Sequence, residues 1–292
     1  MTASVSRGVT GLTLGALGLL RALLRPLLGA EGASRAVGYS YAVLTLVAYA
    51  FHEQYRRATL GLLWVLLTPV LFLAVYLPLS ATLAGAALSP AERSAGALHV
   101  ALGFLAWIAV VEGVQGGATS LVTNPDVVRN APIPLSILPC VRVGAALFRA
   151  TIGLTLLLAL LAVGLAPWPG QRLVLLPVAL AALGGLALGL ALLSSAVAAV
   201  FRDVLQILPT LLLLWFFASP IVFLPRAVGE EYAALLRLNP VTPAVTLLRA
   251  ALIPTAPIAA GDVWLALGWA AASLLLGAAV FRLLSRRFAD HV

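Results

Sequence analysis

Glu112 is the acidic side chain that lies deepest inside a long apolar stretch of this sequence, the segment 98–120. A carboxylate inside a membrane span is costly unless it is paired, so it marks either a substrate path or an ion pair. Arg149 lies in the next apolar segment, and at about 1.5 Å per residue the two depths agree within roughly 5 Å. We therefore expect a Glu112–Arg149 ion pair between neighbouring helices, with a substrate-facing Glu112 as the alternative.

The other titratable residues form no recognisable catalytic or metal-binding set. The histidines His52, His99 and His291 are far apart, and a single cysteine, Cys140, excludes an internal disulfide and a cysteine-cluster metal site. No loop combines paired carboxylates or a Ser/His/Asp set at catalytic spacing. We expect no catalytic residue, no metal and no cofactor on this chain, and no enzymatic activity.

Lysine is absent, and all 18 basic residues are arginine. A Walker-type phosphate loop needs a lysine that reaches the β- and γ-phosphates, so this chain carries no such loop. We therefore do not expect the chain itself to hydrolyse nucleotide. The net charge of +8 is interpreted as membrane topology, because no basic patch interleaved with aromatic residues indicates nucleic-acid binding.

The composition is that of an integral membrane protein. Hydrophobic residues make up 62% of the 292 and charged residues only 10%, whereas a soluble domain carries about 25% charged residues. A spanning helix needs about 20 mostly apolar residues, which predicts an all-α protein with six transmembrane helices. The six predicted spans are 62–84, 98–120, 144–165, 173–200, 205–223 and 263–284.

The chain ahead of the first span divides into two parts. Residues 1–40 are predicted to be a cytoplasmic or inner-leaflet lead, because Arg21 and Arg25 interrupt the apolar run that a signal peptide would need. Residues 41–61 carry apolar side chains at helical spacing, which predicts an amphipathic interfacial helix. Residues 62–292 then form the six-span domain.

Arginine is concentrated on one side of the predicted spans, and this asymmetry predicts the orientation. With a cytoplasmic N-terminus, the outside segments hold only Arg93, Arg172, Arg226, Arg237 and Arg249. The inside segments hold Arg7, Arg21, Arg25, Arg35, Arg56, Arg57, Arg129, Arg142, Arg149, Arg202, Arg282, Arg286 and Arg287. We therefore predict that both termini are cytoplasmic.

The two longest connections between predicted spans differ in character. In the inside connection, 121–143, Asp126 favours a helix N-terminus and the prolines Pro132, Pro134 and Pro139 delimit a short helix around 127–130. The outside connection contains an apolar helical segment, 245–253, bounded by prolines. Such a segment can enter the membrane without crossing it, so we expect short re-entrant helices in this outside connection.

Aromatic residues cluster in the predicted spans. A sugar ring presents apolar C–H faces that pack against an aromatic plane, so these side chains could line a saccharide conduit. Packing against lipid, or an interfacial aromatic belt, is the alternative. The conduit candidates are Trp64, Tyr76, Phe104, Trp107, Trp215, Phe216 and Phe217.

The order of several short motifs resembles that of type-2 ABC exporter permeases, in particular the branch that exports O-antigen, teichoic acid and capsular polysaccharide. The resemblance covers about residues 41–285; residues 1–40 form a longer and more apolar lead than the pattern has. Each motif is weak alone, but the ordered set is fairly specific. In chain order the motifs are Tyr55-Arg56-Arg57, Leu60-Gly61, Trp64, Pro69, Trp107, Asn124, Pro132-Ile133-Pro134, Arg202-Asp203, Ser219-Pro220, Asn239-Pro240 and Arg249.

The resemblance implies an assembly and a function. The chain would form a homodimer with two copies of a separate ABC ATPase, which would bind ATP and Mg²⁺. It would export a lipid-linked surface polysaccharide across the bacterial cytoplasmic (inner) membrane. Asn239, Pro240 and Arg249 would belong to an outside gate. Tyr55, Arg56 and Arg57 would orient the interfacial helix. The residues that would couple to the ATPase are Asn124, Asp126, Val127, Val128, Arg129 and Asn130.

Three other functions fit the sequence less well. A type-2 ABC permease for a drug or another hydrophobic small molecule is the nearest alternative. A membrane enzyme acting on polyprenyl-linked sugars would be expected to carry clustered acids or histidines in its loops, which this chain lacks. A secondary transporter is disfavoured by the single buried acid and the absence of an internal repeat.

Overall fold

The computed structural model describes residues 38–50, 90–130, 133–163, 168–221, 235–236 and 238–288, together with positions 63, 67, 70, 71, 74 and 78. These residues are helical or lie in turns and connections, and no strand occurs among them, as the all-α prediction requires. The helices are α1 (Gly38–Ala50), α2 (Pro90–Ser120), α3 (Pro125–Asn130), α4 (Ile137–Ala162), α5 (Leu176–Val200), α6 (Val204–Phe217), α7 (Val241–Leu252) and α8 (Ala260–Leu284). Short 3-10 turns precede α5 at Gly170–Leu175 and follow α8 at Ser285–Arg287.

Four of these helical stretches are long and apolar enough to cross a membrane, so the chain is a multi-pass membrane protein. They correspond to four of the six predicted spans. The predicted first span, 62–84, falls mostly outside the described residues. The four stretches are Gly96–Ser120, Ile137–Ala159, Gly170–Val200 and Ala260–Arg287.

The predicted fifth span, 205–223, is longer than the helix that occupies it. Helix α6 has 14 residues, about 21 Å of axial length, whereas the apolar layer of a bilayer is about 30 Å thick. The helix ends at Phe217, and a turn carrying Ser219 and Pro220 follows. Proline has no N–H to continue the helical ladder, so the chain leaves the helix before this motif. Within the described residues, α6 is therefore a short apolar helix.

Two predicted boundaries were wrong because prolines lie inside first turns. Helix α4 begins at Ile137, so Pro139 lies within it and not in the preceding loop. Helix α7 begins at Val241, so Pro243 lies in its first turn and does not bound it. In the first turn the missing N–H has no intrahelical partner to lose, which makes proline compatible with a helix start.

Helix α5 lies at the centre of the bundle and packs against α2, α4, α7 and α8. Its contact with α8 is close because glycines face each other: a Cβ on Gly189 would collide with the backbone of Ser273, and one on Gly277 with the carbonyl of Gly189. Between helices in lipid, such small residues permit the close van der Waals packing that replaces hydrophobic burial. The facing glycines Gly189 and Gly277 therefore set the distance between α5 and α8.

Helix α1 docks on the beginning of α4. The Tyr39 hydroxyl donates to Cys140 Sγ at 3.5 Å and lies 3.3 Å from Ser136 Oγ, and a Cβ on Gly144 would lie 2.5 Å from Val47 Cγ2. Burial raises the pKa of Tyr39 to about 12, so its hydroxyl keeps the proton that it donates even in mildly alkaline solution. Tyr49 and Leu44 face outward, as expected for a helix with one apolar side towards lipid. The rest of the predicted interfacial helix, 51–61, lies outside the described residues.

Candidate functional site

The structure brings Glu112 and Arg149 together between α2 and α4. Arg149 Nε donates to Glu112 Oε2 at 2.6 Å, and Nη2 lies 2.5 Å from the same oxygen. The Arg149 side chain is 13% exposed and that of Glu112 is 37% exposed, so the pair lies at the edge of the bundle. The geometry is that of a charge-neutralising contact between two spans.

The described aromatic candidates form one cluster between α2 and α6. Phe216 contacts Phe104, Trp107 and Phe217 at ring-centroid distances of 5.5, 5.6 and 5.3 Å. Trp107 also meets Trp215 edge-to-face at 5.4 Å. Such tilted and edge-on pairs are worth about 0.5–1.5 kcal/mol each beyond burial. The cluster therefore fixes the short α6 against α2.

Burial divides these aromatic side chains into two groups. Phe104, Trp107 and Phe216 are buried inside the bundle, so they pack the core and are poorly placed to line a passage outside it. Phe217 is 67% exposed, and Trp215 is partly exposed. Of the described conduit candidates, only these two present surface that another molecule could reach. Trp64 and Tyr76 lie outside the described residues, as do Tyr55, Arg56 and Arg57.

Asn239 joins the end of α6 to the start of α7. Its Oδ1 accepts hydrogen bonds from Trp215 Nε1 at 2.9 Å and from the Val241 backbone N–H at 3.1 Å. Its Nδ2 donates to the Ala218 carbonyl at 3.1 Å and to Ser219 Oγ at 2.9 Å. The Asn239 side-chain amide thereby completes hydrogen bonds at the end of α6 and at the start of α7. It also holds the Trp215 indole in a fixed orientation.

Arg249 makes a second connection across the same break. It is 5% exposed, and its guanidinium donates to the carbonyls of Pro220 at 2.8 Å, Ile221 at 2.7 Å and His99 at 3.1 Å. These carbonyls lie in the turn after α6 and in α2. Because the turn leaves carbonyls without helical partners, a buried arginine fork supplies the missing donors.

Gly103 provides the space for this guanidinium. A Cβ at Gly103 would lie 2.5 Å from Arg249 Nη2 and 2.6 Å from the Ile221 carbonyl oxygen. The residues assigned to an outside gate, Asn239, Pro240 and Arg249, thus form a bonded junction of α2, α6 and α7, with Pro240 directly preceding α7. Sequence reasoning missed Gly103, because a glycine in an apolar span has no distinctive signal before its neighbour is known.

The predicted coupling segment includes the short helix α3, which has one buried and several exposed positions. Asn124 precedes it, and its side chain donates to the Ser120 carbonyl at 2.8 Å. Val128 is buried, whereas Asp126, Arg129 and Asn130 are exposed and Val127 is partly exposed. Helix α3 is therefore anchored through Val128 and presents polar side chains outward.

Val128 belongs to an apolar cluster that the sequence did not predict, here called the α3 cluster. It gathers the ends of α2, α5 and α8 around α3, and Phe281 and Phe288 meet edge-to-face at 5.2 Å within it. The buried members are Leu121, Val128, Leu192, Ala196, Ala199, Phe281 and Phe288. A movement of α3 would therefore displace side chains of α5 and α8 that it contacts directly in this cluster.

The described residues contain no group of three or more His, Cys, Asp or Glu side chains that could hold a metal ion. The polar groups that the described residues bring together include the hydrogen-bond junctions of Asn239 and Arg249 and the Glu112–Arg149 ion pair.

Comparison with known proteins identifies the family. Residues 41–253 match the family model described as ABC-2 type transporter. The chain is also 29% identical over 244 residues to the O-antigen export system permease protein RfbA of Myxococcus xanthus. The aligned region covers 81% of this chain and 92% of that relative. ABC-2 permeases work with an ATPase partner, so this chain is a transport subunit and not an enzyme. The chain belongs to the ABC-2 type transporter family.

Proposed function

We propose that this protein is the membrane subunit of an ATP-driven exporter that moves a lipid-linked cell-surface polysaccharide out across the bacterial cytoplasmic (inner) membrane. One observation carries the proposal: the similarity to an O-antigen export permease extends over 81% of this chain and 92% of that relative. The likeness thus runs through the transport domain and is not confined to one motif. O-antigen is the first candidate substrate, and capsular polysaccharide and teichoic acid are the other candidates.

The exporter we propose is a homodimer that binds two copies of an ABC ATPase, with ATP and Mg²⁺ held by the ATPase. Six spans per subunit would comprise the four long helices, the segment 62–84, and α6 with its following turn. In this dimer the exposed apolar face of α6, formed at helical spacing by Ile207, Leu211, Leu214 and Phe217, would contact the second subunit. Phe217 and Trp215 would then face the conduit between the subunits.

Export in cells tests the proposed substrate. Deletion of the gene is expected to remove the surface polysaccharide and to accumulate lipid-linked glycan inside the cell, and the wild-type gene is expected to restore export. The measurement is the ratio of surface to intracellular glycan. Normal surface polysaccharide together with increased sensitivity to apolar drugs would instead favour the drug-permease alternative.

Co-purification tests the proposed assembly. Expressed together with the genes that neighbour its own, the full chain is expected to retain an ABC ATPase through affinity purification. Arg129→Ala in α3 is expected to reduce ATPase turnover in the complex, whereas Arg282→Ala, an exposed arginine on α8, is the matched control. Glycan export that continues after loss of the ATPase would contradict the proposal.

A further inference from the structure

The chain turns sharply after α8 and exposes two neighbouring arginines. Arg286 and Arg287 are both exposed in the 3-10 turn Ser285–Arg287, whereas the next residue, Phe288, is completely buried. The two charged side chains are thus held outward by a residue fixed in the interior. This turn, residues 285–288, is here called the C-terminal turn.

Phe288 anchors the C-terminal turn in the α3 cluster. Its ring packs edge-to-face on Phe281 at 5.2 Å, and the same cluster contains Val128 of α3. The C-terminal turn and α3 therefore share one apolar anchor, although they are far apart in sequence. Their exposed side chains lie at the same end of the bundle.

The exposed charges of this end are predominantly positive. Among the described residues, Arg129, Arg202 and the arginine pair of the C-terminal turn are exposed at this end, against the carboxylates of Asp126 and Asp203. Arginine is suited to protein interfaces because its planar fork makes bidentate hydrogen bonds to carboxylates. A partner that approaches α3 would meet the arginine pair as well.

We propose that α3 and the C-terminal turn form one composite docking surface for the ATPase partner, which contacts Arg286 and Arg287 through acidic side chains. The inference rests on the proposed function, which supplies this partner. It adds a second contact region to α3 and gives Phe288 a positioning role. Phe288 touches no partner itself but holds the arginine pair beside α3.

Anionic lipid headgroups are the other class of molecule that attracts arginines at this boundary. Long basic side chains near a helix end reach headgroups by bending along the helix, and they need no fixed backbone to do so. A turn pinned by a buried phenylalanine ring fixes the arginines in position, which benefits a partner of defined shape. This geometry favours a protein partner over lipid.

Charge reversal in the full chain tests the composite surface. The double variant Arg286→Glu/Arg287→Glu is expected to bind the co-expressed ATPase at least about tenfold more weakly, because like charges then oppose each other across the interface. Added salt weakens the attraction in the wild type but screens the repulsion in this variant, so the contribution of these two positions to the salt dependence is expected to change sign. Arg282→Glu, exposed about one turn earlier on α8, is the control and is expected to stay within about twofold. The conservative variant Arg286→Lys/Arg287→Lys is expected to keep most of the affinity.

A second variant separates positioning from charge. Phe288→Ala keeps both arginines but removes the anchor, so ATPase binding is expected to weaken while its dependence on salt persists. Thermal unfolding in detergent checks that the bundle remains folded.

The outcomes separate this inference from the proposed function. A wild-type chain that retains no ATPase would overturn both. A wild type that binds the ATPase, with a charge-reversed variant that binds equally well, would overturn only the composite surface. Unchanged ATPase binding with reduced retention on anionic vesicles would assign the arginine pair to lipid headgroups and would also overturn it.

Discussion

At the scale of single residues, the buried polar side chains of this bundle mainly complete backbone hydrogen bonding where helices break. Asn239 and Arg249 together make seven hydrogen bonds around the turn after α6, and five of them involve backbone groups. In the apolar layer of a membrane, a backbone N–H or C=O group without a partner finds no water to bond with. A helix can therefore end inside the protein only where side chains such as these complete the backbone hydrogen bonds. The gate predicted at these residues would have to open against these bonds.

Replacement of Arg249 should destabilise the protein more than replacement of an exposed arginine. Arg249→Met keeps an unbranched apolar stem but is shorter than arginine and leaves the carbonyls of His99, Pro220 and Ile221 without their donor. At about 1 kcal/mol for each lost hydrogen bond, we expect a loss of about 3 kcal/mol in the free energy of unfolding. Denaturant titration in detergent measures it. Arg282→Met on the exposed face of α8 is the control, and an equal loss in both variants would contradict the assigned role.

The Glu112–Arg149 contact predicts a charge-swap result. Glu112→Arg and Arg149→Glu each place two like charges between α2 and α4, so each should lower the yield and the thermal midpoint of the folded protein. The double variant Glu112→Arg/Arg149→Glu restores opposite charges and should recover most of both. We expect a coupling of about 1–2 kcal/mol, because Glu112 is partly exposed and its interaction is screened. A double variant as unstable as the sum of the single ones would contradict a structural pair.

At the scale of elements, helix length and apolar character were readable from composition, but helix ends were not. The apolar runs predicted α2, α5 and α8 because a spanning helix needs only length and low charge. The ends of α4, α6 and α7 depended on where prolines fall within a turn, which a one-dimensional pattern does not fix. The α3 cluster and the Gly103–Arg249 contact join residues far apart in sequence, so only the three-dimensional packing identified them.

The crossing of α5 and α8 makes a prediction about glycine. Gly277→Ala would bring a methyl group against the Gly189 carbonyl, so the helices must move apart, at a cost of about 1–3 kcal/mol. Gly268→Ala lies on the same helix with no atom within 4 Å of the added carbon, and it should cause no loss of stability. Thermal unfolding of the two variants in the same detergent gives the comparison. Equal stability of both would show that α5 and α8 are not held at glycine distance.

At the scale of the whole molecule, the connections gather at two opposite ends of the bundle. Arg172 donates to the Ala256 carbonyl at 2.6 Å, which joins the turn before α5 to the connection after α7. The α3 cluster joins the other ends of α5 and α8 to α3. In the part of the chain that the structure describes, exposed arginines lie at this second end, at Arg129, Arg202, Arg286 and Arg287. The positive-inside rule then predicts that the α3 end is cytoplasmic.

Cysteine labelling measures this orientation directly. Cys140 is the single native cysteine, so Cys140→Ser provides a background into which exposed positions are introduced one at a time. In spheroplasts, a membrane-impermeant maleimide should label Trp168→Cys and Thr255→Cys, because both positions are exposed at the end opposite α3. Asn130→Cys and Asp203→Cys should react only after permeabilisation. The reverse labelling pattern would show that the protein has the opposite orientation. Helix α3 would then lie outside the cytoplasm, where no cytoplasmic ATPase could bind it.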